Sequence, residues 1–252
     1  MRIGFPNHPR REVLAEIAWI GEHGFDFVDL FLEPDRAAIE EIDPKAVRAA
    51  LEERGLIGPG HLAWYLPLGS PLPQMRSAAV HTAGEYLHVF AEIGVPAVTV
   101  HAHWPPHLFP EEDGLRWQIE SLQALLAAAG ELGVALLYEP IDTEHDTAEH
   151  LAVILEALPD LGCHLDLGHC HLHGRSPAAM LRQFGARLRH LHVHDNNGRE
   201  DLHLPPGAGT INWTEVAAAL HEIGYNGTAT LEVFSRDRDY VLLAKRKLEA
   251  LW

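Results

Sequence analysis

Lysine is almost missing from this chain: Lys45, Lys245 and Lys247 are the only three in 252 residues. All three fall in stretches that read as helix, so none stands where an apolar run ends, and a Schiff-base aldolase is excluded. Cysteine is as scarce. Cys163 and Cys170 form neither a CxxC pair nor a disulfide framework, which suits a reducing compartment. No GxGxxG follows an early strand-like run, so the dinucleotide fingerprint is lacking. No apolar run reaches the length of a membrane span, and since Met1 runs straight into the strand-like RIGFP no signal sequence is expected. Basic charge is short overall: a formal net charge of −17 argues against a nucleic-acid partner, which normally requires an excess of Lys and Arg on one face. The expectation is a soluble, cytoplasmic protein that forms one domain over residues 1–252 and is compatible with homo-oligomerisation.

What is present is a repeated unit: a short apolar run, a polar loop, an amphipathic stretch, then a glycine. Arg2–Asn7 is followed by a helical pattern over Glu12–His23 and Gly24, and Phe27–Glu33 by Pro44–Arg54 and Gly55. GPGHLAW precedes Gln74–Ile93 and Gly94, and AVTVHAH precedes Glu111–Leu132 and Gly133. The later runs are VALLYEP, GCHLDLGH, LRHLHVHD and ATLEVF, with Trp213–Ile223 and Gly224 between the last two. Eight alternations of strand and helix in roughly 250 residues predict an α/β fold with a parallel sheet closed into a single (β/α)8 barrel.

In that fold the active site lies where strands end at their carboxyl side. The residues predicted there are His61 on the third run, His101 on the fourth, Glu139 on the fifth, Asp166 and His169 on and after the sixth, His192 on the seventh, Asp201 and His203 in the loop beyond, and Glu232 on the eighth. One histidine closing an apolar strand is ordinarily a hydrogen-bonded core residue. Six successive strands delivering imidazole or carboxylate to one rim are better explained by divalent cations, since those are ligands for zinc, manganese and iron and buried carboxylates need a partner. His194 shares a strand face with His192, and His103 with His101, so the ligand of each pair is open.

These residues resemble the xylose isomerase-like barrel superfamily, which contains sugar and sugar-phosphate isomerases and epimerases and the endonuclease IV group. HVHD, DLHLPPGAGTI and HLAWYLPLGSP carry the resemblance. It implies one divalent ion held by Glu139, Asp166, His192 and Glu232 in the epimerase branch. In the endonuclease branch it implies three zinc ions held by those four with His61, His101, His169, Asp201 and His203. One to three ions, zinc or manganese, are therefore expected. By the same resemblance His192 and His101 are the ligands of their pairs.

The epimerase branch implies an isomerase or epimerase of a small sugar or sugar phosphate, with Glu139 and Glu232 as acid and base and His169 as a substrate contact or further ligand. The endonuclease branch implies a phosphoester hydrolase, and a non-catalytic metal-binding barrel is a third reading. The nine-residue set favours a multinuclear site. The loops LEPDRAAIEEID, WYLPLGSPLP, HWPPHLFPEEDG and IDTEHD, with one arginine and no lysine, favour a small substrate. Arg175 and Arg199 are candidate phosphate or hydroxyl contacts, and Trp64, Trp104 and Trp213 candidate walls of a sugar pocket.

Overall fold

The computed structural model describes residues 1–251. Its strands are β1 (Arg2–Pro6), β2 (Phe27–Phe31), β3 (Gly60–His61), β4 (Ala97–His101), β5 (Ala135–Glu139), β6 (Gly162–Asp166), β7 (Leu188–Val193) and β8 (Thr228–Leu231). Between and after them run α1 (Val13–Glu22), α2 (Pro44–Arg54), α3 (Pro73–Ile93), α4 (Glu111–Glu131), α5 (Ala148–Ala157), α6 (Pro177–Phe184), α7 (Trp213–Glu222) and α8 (Arg238–Glu249). Neighbouring strands pair in parallel and β1 closes on β8, which makes the sheet a complete (β/α)8 barrel. A short 3-10 segment, His169–Gly174, is inserted after β6.

The helices begin and end where local chemistry requires. Asp43 caps α2 by accepting the Lys45 amide at 3.0 Å, with Pro44 at the first position where its missing N–H costs nothing. Gly55 then ends the helix at φ 66°, a left-handed conformation that a side chain disfavours. Outward strand residues such as Val98, Val100, Leu136, Leu165 and Leu191 pack against Leu87, Phe90, Leu122, Ile154 and Leu181 of the helices, so the apolar core is the layer between sheet and helices. Among the described residues no helix is long and apolar enough to cross a membrane.

Register fixes the site. His101 lies opposite Glu139 across β4 and β5, and Asp166 opposite His192 across β6 and β7. A shift in pairing between Cys163 and His164 brings His164 level with His190, and so aligns the two histidine-bearing strands. β3 is only two residues long, shorter than the run GPGHLAW, because Pro59 can give no ladder N–H and the chain turns away after Leu62. β8 ends at Leu231, so Glu232 is the first residue beyond its strand.

Candidate metal centre

The carboxyl ends of β5 to β8 bring Glu139, Asp166, His192 and Glu232 into one cup. His192 Nδ1 lies 3.1 Å from Glu232 Oε2, 3.6 Å from Glu139 Oε1 and 3.8 Å from Asp166 Oδ2. Its other nitrogen, Nε2, sits 2.9 Å from Asp29 Oδ2. A proton donated there leaves the Nδ1 lone pair facing the three carboxylates, the arrangement in which an outer carboxylate orients a ligating imidazole. Asp166 is aimed in a similar way: Oδ1 accepts the amides of Gly168 at 2.6 Å and His169 at 3.0 Å, while Oδ2 is buried without a partner.

Two further groups adjoin this one. On one side His61 Nε2 and His101 Nε2 lie 3.3 and 3.1 Å from Glu139 Oε2. On the other, His203 Nε2 is 2.8 Å from Asp201 Oδ2 and His169 Nε2 is 3.5 Å from the same oxygen, with His194 Nε2 3.4 Å from Asp201 Oδ1 and 3.0 Å from Asp166 Oδ1. His192 and His194 thus both enter the cup: they share Asp166, but His192 faces Glu139 and Glu232 while His194 faces Asp201. His101 touches Glu139, whereas His103 lines a groove of about 750 Å³ between the loops after β3, β4 and β5. The loop that carries Asp201 and His203 is held by Asp195. Its carboxylate accepts the amides of Asn196, Gly207 and Ile211 and the Trp213 indole N–H, all within 3.1 Å.

The donor set suits a divalent cation. Asp166 Oδ2, His169 Nδ1, His194 Nε2 and Asp201 Oδ1 are buried polar atoms without hydrogen-bond partners, which a folded protein seldom tolerates unless something else satisfies them. Glu139, Asp166, His192 and Glu232 would hold the central ion. His169, His194, Asp201 and His203 form a second group whose ligand atoms lie within 4.8 Å of one another, as do His61, His101 and Glu139.

Charges in the cup are mutually dependent. Burial raises the Glu139 carboxyl, but His164, His192 and His101 outweigh it and hold it well below the usual range. Burial lowers the His169 imidazole, yet Asp166, Asp201 and Glu139 bring it up to about 10. The same contest, with Glu232 and Asp201 prevailing, brings His203 to about 9. Both values exceed the roughly 6.5 of an unfolded histidine, so their stabilisation is complete below about pH 6.5 and disappears as pH rises through 9 to 10. Asp166 and Asp201 are depressed, so their share is present above about pH 4 and lost below it. Chelator-treated protein should therefore melt highest near pH 5 to 6 and progressively lower toward pH 10; a flat melting temperature across that span would show that these histidines are neutral in the apo cup.

Several contributing residues carried too little signal in the sequence. Asp29, alone in the apolar FVDLF of β2, is fully buried and receives His192, His190 at 3.2 Å and the Thr230 hydroxyl at 2.8 Å. His164 lies one layer below the rim, 3.2 Å from Glu139 and 3.0 Å from Thr99 Oγ1. Its position two residues before Asp166 on one strand face was the available clue. Glu33, just past β2, feels the charges of the cup: burial raises its carboxyl, opposed by His101 and reinforced by Glu232.

The other expected contacts are distributed unevenly. The Arg175 guanidinium donates to the carbonyls of Leu172, Thr143, Asp146 and His169, which ties two rim loops together and uses four of its five N–H groups. Arg199 is exposed on the loop after β7. Trp104 walls the groove and donates to Asp146 at 2.9 Å, Trp64 is exposed beside Tyr65, and Trp213 is buried in packing. Gly168 is needed for a steric reason, because a Cβ there would stand 1.9 Å from the buried His194 ring. Gly168→Ala should cost about 1–3 kcal/mol in denaturant unfolding through overpacking; no loss would mean the His194 ring has room to move.

The fold and this cup define a class: a (β/α)8 barrel whose carboxyl rim presents imidazoles and carboxylates suited to divalent cations. Residues 17–251 match the family model described as the xylose isomerase-like TIM barrel, and the chain belongs to that family. Among its relatives, an inosose dehydratase of Geobacillus kaustophilus is 24% identical, the match covering 97% of this chain and 88% of the relative. A D-psicose 3-epimerase of Ruminiclostridium cellulolyticum is 24% identical over 86% of this chain and 76% of its own. The crystal structure of the IOLI protein with a bound zinc atom superposes with a TM-score of 0.85 at 16% identity, covering 100% of this chain and 98% of that one.

Proposed function

We propose that this protein is a divalent-metal-dependent epimerase or isomerase of a small polyhydroxy ketone. The observation that carries the reading is the convergence of Glu139, Asp166, His192 and Glu232 at the ends of four successive strands. The named relatives support the chemistry. Epimerisation at carbon 3 of a 2-ketose and dehydration of an inosose both begin by removing a proton from the carbon beside a ketone.

Bound by those four residues, a divalent cation supplies a Lewis acid for the ketone oxygen and its neighbouring hydroxyl. Glu139 and Glu232 approach from β5 and β8, so one carboxylate removes the proton from the carbon beside the carbonyl and the other returns a proton to the opposite face. His192 keeps its position because Asp29 fixes its outer nitrogen. Phe31, stacked at 4.0 Å on His61, and Phe234, at 4.3 Å on His203, wall the cup. Phosphoester hydrolysis ranks below this reading, since the relatives cited are named for epimerisation and dehydration.

The test is elemental analysis of protein purified without added metal or chelator, together with its His61→Ala and Asp201→Ala forms, alongside ketose epimerisation assays. At least one ion per chain that survives both substitutions, with turnover of a ketose, is expected. Two or three zinc ions lost on substitution, with cleavage of small phosphodiesters and no epimerisation, would overturn the reading.

A further inference from the structure

The loops after β1 and β8 and the first turns of α1 and α8 enclose a recess of about 380 Å³ beside the cup. Phe31 and Phe234 line it while stacking on His61 and His203, so the recess and the candidate metal centre share walls. In a chain of net charge −17, Arg11, Arg236 and Arg238 all line this one space, with Glu16 as the carboxylate among them.

That carboxylate organises the arginines. Glu16, with its side chain only 5% exposed, accepts a short hydrogen bond from Arg238, lies 3.6 Å from Arg11 and receives the His8 amide at 3.3 Å. The Arg238 guanidinium also sits 4.0 Å from the Trp19 ring centroid, which fixes its plane. Arg236 has neither a hydrogen bond nor an ion pair among the described residues. The Ser235 hydroxyl accepts the Asp237 amide at 3.2 Å and keeps its own proton to donate. His8 Nδ1 accepts the Arg10 amide at 3.1 Å, which makes Nε2–H a donor as well. The amino end of α8 is already capped by Asp237 and carries Asp239, so guanidinium groups and not the helix end provide the attraction.

We infer that this recess is an anion subsite that takes the phosphoryl group of a phosphorylated ketose whose carbonyl end lies in the metal cup. This rests on the proposed epimerase or isomerase function. Among the side chains that line the recess, three guanidinium groups against one carboxylate leave an excess of two positive charges, which matches a phosphoryl dianion better than a single carboxylate, and guanidinium forks suit its oxygens. The recess then sets specificity: the phosphoryl group anchors one end of the substrate and fixes which carbon meets Glu139 and Glu232.

Arg236 is exposed and unpaired, so Arg236→Ala tests the subsite without threatening the fold. The holoprotein is titrated calorimetrically with inorganic phosphate at constant ionic strength. Saturable binding that weakens about tenfold or more in Arg236→Ala is expected, as is a similar fall in the ratio of kcat/KM for a ketose phosphate over the corresponding ketose. Absence of saturable binding, or binding indifferent to the substitution, would overturn the subsite. Stronger binding of a sugar carboxylate than of phosphate would overturn the phosphoryl assignment. Because calorimetry needs no turnover, phosphate binding that depends on Arg236 without epimerisation of any ketose would sink the proposed reaction and leave the subsite standing.

Discussion

Glu139→Gln and Glu232→Gln should each lower kcat by two to four orders of magnitude, about the contribution of a positioned acid or base. Glu139 should show the deeper loss. It is buried among His61, His101 and His164 at 3.1–3.3 Å, and its amide could not move a proton. Glu232 faces His192 at 3.1 Å and His203 at 3.7 Å from the opposite wall. The double substitution should be little worse than Glu139→Gln alone, because two groups that serve successive proton transfers of one turnover are not additive. Turnover has to be read with metal content and melting temperature, so that loss of chemistry is separated from loss of the ion. A Glu232→Gln form that keeps its metal and more than a tenth of wild-type kcat would remove Glu232 from the mechanism.

Asp29→Asn should weaken metal binding by about 10–100-fold, the usual effect of removing the outer carboxylate behind a ligating histidine. Asp29 touches His192 Nε2 at 2.9 Å, on the far side from the cup, and burial there is offset by the hydrogen bonds from His190 and His192 that keep it ionised. The amide in its place is neutral, so the oxygen on which His190, His192 and Thr230 converge becomes a weaker acceptor that no longer raises the basicity of His192. Competition against a chelator of known affinity gives the change. An unchanged dissociation constant in a variant that melts normally would make Asp29 a packing residue.

The barrel was legible because its signals are local. Apolar runs such as AVTVH and ALLYE alternate with amphipathic stretches closed by glycine, and a histidine or carboxylate ends strand after strand. Asp29 was not legible, since its partners lie 161, 163 and 201 residues away along the chain and only closure of the barrel brings them together. His164 was hidden for a related reason: it belongs to the layer beneath the rim, where strand ends give no indication. The choice between His192 and His194 turns on facing carboxylates from other strands. Arg175 looked free in the sequence, but whether a guanidinium meets substrate or four backbone carbonyls depends on how loops fold back. The recess between α1 and α8 joins Glu16 to Arg238, 222 positions apart, and had no linear signature.

The most direct measurement is exchange in deuterated water. The holoprotein is incubated with a panel of 2-ketoses, their phosphates and an inosose, and each is followed by proton and deuterium NMR. The account predicts that deuterium enters at the carbon beside the ketone of at least one of these, together with its epimer or dehydration product, and that Glu232→Gln abolishes the signal. Conversion without deuterium entry would mean that hydrogen moves without exchanging with solvent. Release of inorganic phosphate with no exchange would mean hydrolysis, and either result would contradict proton transfer by Glu139 and Glu232.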